Sequence, residues 1–123
     1  MTFSELLQGI LARVEGSIGI AIMGLDGLAI EHVQVPSKMD LGERVALIAT
    51  SHATLLRNTM RMSSDTGVGA LNELTLMSDN FLLVVRLIGR EYFLIIVLNP
   101  GGNLGRARFE LRKAHLLLEK EFV

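Results

Sequence analysis

The stretch Ile20-Ala21-Ile22-Met23-Gly24-Leu25-Asp26-Gly27-Leu28-Ala29 holds two apolar runs around Asp26-Gly27, a dipeptide that closes tight β-hairpins. It predicts two antiparallel strands, over residues 18–25 and 28–33. Downstream, residues 70–77, 81–87 and 91–98 form three more strand-length runs, separated by Ser78-Asp79-Asn80 and by Gly89-Arg90. Turns that short join antiparallel neighbours, so these three form a meander. Helical spacing fills the remainder. Thr2 and Glu5 have capping-box spacing ahead of Phe3, Leu6, Leu7, Ile10, Leu11 and Val14, which predicts a first helix ending near Gly16. After Pro36 and Ser37, Asp40 and Glu43 are placed to cap a long second helix to about Met62, and residues 63–69 then read as a connector. Asn99-Pro100-Gly101-Gly102 stops the sheet. Asn103 caps a last helix with Leu104, Ala107, Leu111, Ala114, Leu118 and Phe122 on one face. The order α-β-β-α-β-β-β-α predicts an α/β (α+β) domain, an antiparallel sheet of about five strands flanked by three helices.

Composition narrows the class. The 123 residues fit a single domain over residues 1–123, without linker or internal repeat. Half the chain is hydrophobic and a fifth charged, which excludes a disordered polyelectrolyte. No apolar run approaches the roughly 20 residues of a membrane-spanning helix, so no membrane insertion is expected. The N-terminus lacks the basic region of a secretory signal and there is no cysteine, which together predict a cytoplasmic location. With a net charge of −1 and no basic block, nucleic acid is not an expected partner.

The second helix is apolar over an unusually wide arc. Val45, Ala49, Ala53, Leu56 and Met60 form one stripe, with Leu41, Ile48, His52, Leu55 and Thr59 beside it, together spanning roughly 160 degrees. A helix on a sheet needs an arc a little over about 100 degrees wide. Either the helix sinks into a deep groove of its own domain, or a second partner covers its flank. The following strand, with Glu73 and Thr75 among apolar residues, reads equally as a protected edge or as a strand pairing with its twin. The opposite arc offers Glu43, Arg44, Leu47, Ser51, Arg57 and Arg61 to a partner, although charged helix faces are usually just solvated.

Catalytic signatures are missing. His32, His52 and His115 have no second ligand at metal-pair spacing, so no metal is expected, and a packed or interfacial role for His52 outweighs a titrating one. Gly101-Gly102-Asn103-Leu104-Gly105-Arg106 lacks the Gly-Lys-Ser/Thr ending of a phosphate loop, and Gly67 and Gly69 complete no dinucleotide fingerprint. Ser51, Ser63 and Ser78 have no base or nucleophile turn. No cofactor and no catalytic set emerge, and an enzyme is the least favoured class. Arg90, in a turn, is the one candidate arginine finger for a GTPase, and a solvated hairpin residue is the stronger reading of it.

The hairpin quoted above, together with Asn103-Leu104-Gly105-Arg106-Ala107-Arg108-Phe109-Glu110-Leu111-Arg112-Lys113-Ala114, resembles the roadblock/LC7 family, and the likeness covers nearly the whole chain. Gly105 fits a helix start whose backbone approaches a neighbouring element closely. The resemblance implies a profilin-like sandwich with two helices on one face of the sheet and one on the other. It also implies homodimerisation through the second helix and third strand, which selects Leu41, Val45, Ile48, His52, Leu55, Thr59, Leu71, Glu73 and Thr75 as interface residues. Bacterial members of this kind act with small Ras-like GTPases, one being a gliding-motility polarity regulator that stimulates its GTPase. Other members are scaffolds or motor light chains. The chain stops at the third helix, so a role carried by the C-terminal extension of some bacterial members does not transfer. A regulatory subunit for a small Ras-like GTPase is thus expected, with a dimeric scaffold and a small-ligand sensor as rivals.

Overall fold

The computed structural model describes residues 2–35 and 41–121, with side chains throughout except at 41–44 and 46. Pro36, Ser37, Asp40 and Phe122, singled out above, lie outside the described residues. Helix α1 (Phe3–Arg13) starts where expected, because the Thr2 hydroxyl accepts from the Glu5 amide at 3.1 Å. It ends three residues before Gly16. There the chain turns with Gly16 at φ 82°, and an added Cβ would stand 2.5 Å from the Cα of Gly102. The close approach expected of Gly105 is made by this pair instead, since a Cβ on Gly105 would meet nothing nearer than 3.8 Å. Backbone bonds from Asn99 to Gly16 and from Asn103 to Glu15 hold the two turns together.

Strands β1 (Ser17–Gly24) and β2 (Ala29–Gln34) form the expected hairpin, with a longer turn than two residues. Gly24 donates to the Leu28 carbonyl, only Gly27 has a positive φ, and the Asp26 carboxylate accepts from the Leu28 amide. A tight two-residue turn needs positive φ at both centres, and Asp26 satisfies a local donor instead. The register shifts between Ile22 and Met23 accordingly.

Helix α2 (Leu41–Asp65) runs past Met62. Thr66 caps its end with a hydroxyl to Met62, and Gly67 and Gly69, both at positive φ, turn their amides back to Ser64 and Ser63. Strand β3 (Glu73–Met77) therefore starts later than expected, followed by β4 (Leu82–Ile88) and β5 (Tyr92–Leu98). Helix α3 (Leu104–Leu118) is capped by Asn103, whose side chain accepts from Arg106 at 3.0 Å.

The five strands are antiparallel in the order β2-β1-β5-β4-β3, so β2 and β3 are the edges. Helices α1 and α3 cover one face, over Ile20, Ile22, Leu82, Val84, Ile88, Leu94, Ile96 and Leu98. On the other face α2 alone packs, on β1 and β2, above Ala21, Met23, Phe93 and Ile95.

Candidate functional site

One helix cannot roof a five-stranded sheet, because a helix with its side chains is about 10 Å across and strands lie roughly 5 Å apart. One side of α2 is tied to the β1–β2 turn. Arg57 donates to the carbonyl of Leu25 in the β1–β2 turn, and its second amino group bonds Thr54 at 3.0 Å. At about 100 degrees per residue, Ile48, His52, Leu55 and Thr59 lie on the opposite flank of the helix, toward β4 and β3. Beyond that flank the sheet presents Leu74, Leu76 and Phe81, all half-buried. Ile48, Leu76 and Phe81 pack around Ile18, Val45, Leu83 and Val97. The result is a shallow apolar trough at the β3 edge, between Leu74, Leu76 and Phe81 on one side and the flank of α2 on the other, above the buried Leu83, Val85 and Leu87 of β4.

The structure divides the expected interface residues. Ile48, His52, Leu55 and Thr59 share the trough wall, with Leu55 41% exposed. His52 Nδ1 donates to the Ile48 carbonyl at 2.7 Å and the Thr59 hydroxyl to that of Leu55 at 2.8 Å, so both polar groups are satisfied within the helix and show the trough mainly carbon. Leu71 packs beside Leu74 at the same face. Val45 is 1% exposed inside the chain's own core and has no area left for a partner. Leu41 is in α2, but its side chain lies outside the described residues.

Glu73 and Thr75 alternate with Leu74 and Leu76, so their side chains leave on the α3 face. Glu73 pairs there with Arg108 at 2.7 Å and with Arg86, its cross-strand neighbour, at 3.7 Å. The trough residues of β3 are thus Leu74 and Leu76, which were legible only as the opposite parity of the same strand.

Of the outward residues, Leu47, Ser51 and Arg61 are exposed, Leu47 at 65%, while Arg57 is committed to the hairpin turn. The side chains of Glu43 and Arg44 lie outside the described residues. Arg90 sits in the β4–β5 turn beside an open cleft of about 720 Å³ that it shares with Asp26, Arg57 and Glu91. Among the described residues no side-chain partner positions it, as a finger would require. Among them, too, no group of three or more histidine or acidic residues is placed to hold a metal ion, and no helix is long and apolar enough to cross a membrane.

Among the described residues, one carboxylate is buried. Glu110 of α3, 1% exposed, takes Arg13 of α1 at 3.0 Å and Arg106 at 2.8 Å on Oε1, with Lys113 3.9 Å from Oε2. Burial pushes its pKa up, but the hydrogen bond and charge of Arg13, with Lys113 and Arg106, outweigh that and hold it below its ordinary value.

No family model and no curated protein matches the chain. Solved structures do. MglC from Myxococcus xanthus is 30% identical over 99% of this chain and 100% of its own, with a TM-score of 0.72. A roadblock/LC7 domain from Streptomyces avermitilis is 15% identical over 98% of each chain, at a TM-score of 0.83. The gliding protein MglB from Thermus thermophilus, and an MglB with a tetrameric arrangement, each give 19% identity over 95% of this chain and 85% of theirs, at a TM-score of 0.79.

Proposed function

Since the chain belongs to the roadblock/LC7 family, with MglC as a relative along its full length, we propose that it is a non-catalytic regulatory subunit of the cytoplasm, which homodimerises and binds a small Ras-like GTPase. The observation that carries this reading is the half-roofed α2 face of the sheet. Leu74, Leu76, Phe81, Ile48 and Leu55 leave contiguous apolar surface in water, at a cost of about 25 cal/mol for each Å² that a partner would cover. A second copy related by a two-fold axis lays its own α2 over the β3 half, so each copy supplies the helix the other lacks. The free edge of β3 then meets its twin and loses its unpaired backbone groups.

The dimer presents two α2 helices side by side, with Leu47, Ser51 and Arg61 facing outward as a surface for the GTPase. It modulates nucleotide hydrolysis by favouring one conformation of a switch loop through shape and contact, without supplying a charged finger.

Light scattering coupled to size-exclusion chromatography over a concentration series tests the first half, and twice the chain mass is expected. A single-chain mass throughout would sink the dimer. The second half is tested by pull-down and GTP turnover with purified small Ras-like GTPases of the source organism, using Leu47→Glu, which is expected to keep the dimer and lose the GTPase. Dimers that bind a GTPase and leave its turnover unchanged would make the protein a scaffold.

A further inference from the structure

The outer side of α3, on the far face of the sheet from the trough, separates charge in a way the net charge of −1 hides. Between Leu104 and Leu118 the helix carries Arg106, Arg108, Arg112 and Lys113, and its one carboxylate, Glu110, is buried. Three cations, Arg13, Arg106 and Lys113, surround that single carboxylate, so two positive charges remain uncompensated where they reach water. Along the same outer line stand Phe109, 53% exposed, and Leu116, 66% exposed. They are seven residues apart, two turns and about 10 Å along one side of the helix. Arg106 and Lys113 lie over the Phe109 ring at 5.3 and 5.9 Å. At the helix end, Leu117, Lys120 and Glu121 line an open cleft of about 570 Å³ with Phe3 and Leu6 of α1, so the positive rim lies along α3 rather than at the cleft.

We infer that this face docks an acidic amphipathic helix of a partner protein, whose apolar residues seat on Phe109, Leu116 and the α1–α3 cleft while its carboxylates meet Arg106, Arg112 and Lys113. Complementary charge selects the occupant, since a ridge so rimmed attracts an acidic segment and repels a basic one. Preorganisation favours a protein over an anionic bilayer. Glu110 holds Arg106 at a set position beside the ring, with Lys113 close by, which suits carboxylates at helical spacing, whereas a membrane-surface helix relies on a broad apolar face that Phe109, Leu116 and Leu117 do not supply. This surface does not overlap the trough, so the protein could hold such a partner while its α2 face is engaged.

The probe is a labelled peptide of about 18 residues with leucines at helical a and d spacing and glutamates elsewhere, titrated by fluorescence anisotropy at low ionic strength. A scrambled peptide of equal composition and vesicles containing about a third phosphatidylserine serve as alternatives. The patterned peptide is expected to bind the full chain about tenfold tighter than the scrambled one, and Phe109→Ser or Leu116→Ser to remove that advantage. Arg112→Glu with Lys113→Glu is expected to lose the glutamate peptide and gain its lysine counterpart. All these side chains are exposed, and circular dichroism of each variant checks the fold. Equal binding of the scrambled peptide, binding to vesicles alone, or no binding at all would overturn the inference.

Discussion

The two faces of the sheet are finished differently. Under α1 and α3 the face is closed: Ile20, Ile22, Val84, Leu94, Ile96 and Leu111 are each at most 1% exposed, and the joint between the helices is locked by Glu110. Under α2 it is closed over β1, β5 and β4, where Met23, Phe93, Ile95, Val85 and Leu87 are buried, while Leu74, Leu76 and Phe81 toward the β3 edge stay half-buried. The same strands build both faces, so strand composition does not explain the contrast. What differs is the number of helices and where each is tied down.

That contrast can be broken first through the closed face. Leu111→Ala is expected to cost about 3 kcal/mol in urea unfolding, by transfer and cavity terms, equally at low and high protein concentration. A cost that grew on dilution would mean that the closed face, too, depends on assembly. Next, Gly16→Ala places a methyl at φ 82° against the Gly102 backbone, with an expected loss of about 2 kcal/mol by thermal unfolding.

Glu110→Gln comes third, at about 1–2 kcal/mol near neutral pH, because it removes a charged partner from three cations. Its signature is in acid. The folded pKa is lowered, so the stabilisation from Glu110 is complete above the unfolded value of about 4.3 and is lost as pH falls through the folded one. The variant should show a flatter stability curve on that acid limb, and an unchanged slope would mean that the cluster does not couple folding to protonation. Smallest in folding energy is Leu55→Glu, under about 0.5 kcal/mol for an exposed site, although it should halve the mass by light scattering.

Element order and the extent of each strand were readable to within a few residues, because periodicity and turn chemistry are local properties. What escaped was set by residues distant in sequence. Gly105 looked like the close-approach glycine because it sits near a helix start, while the actual contact joins Gly16 to Gly102 across two loops. Glu73 and Thr75 share one parity of β3, and parity fixes which residues share a face without saying which face is which. Arg86 and Arg108 make that choice by pairing with Glu73 on the α3 side. Val45 belonged to the wide arc of α2, yet the part of the arc that it occupies is used within the chain. The flank bearing Ile48, His52, Leu55 and Thr59 was visible as part of the wide arc, which left open whether the chain's own domain or a partner covers it.

The pairing of β1 with β5 at the centre of the sheet, Ile20 against Ile96 among its rungs, has a kinetic consequence. During synthesis the β1–β2 hairpin leaves the ribosome long before its inner neighbour exists, carrying one of the most apolar edges in the molecule. No sheet of native order can form until the last strand arrives, and closing that long loop comes before most of the burial that rewards it. Folding is therefore expected to be late and cooperative, and a chain interrupted before β5 begins at Tyr92 exposes the bare side of β1 to its neighbours.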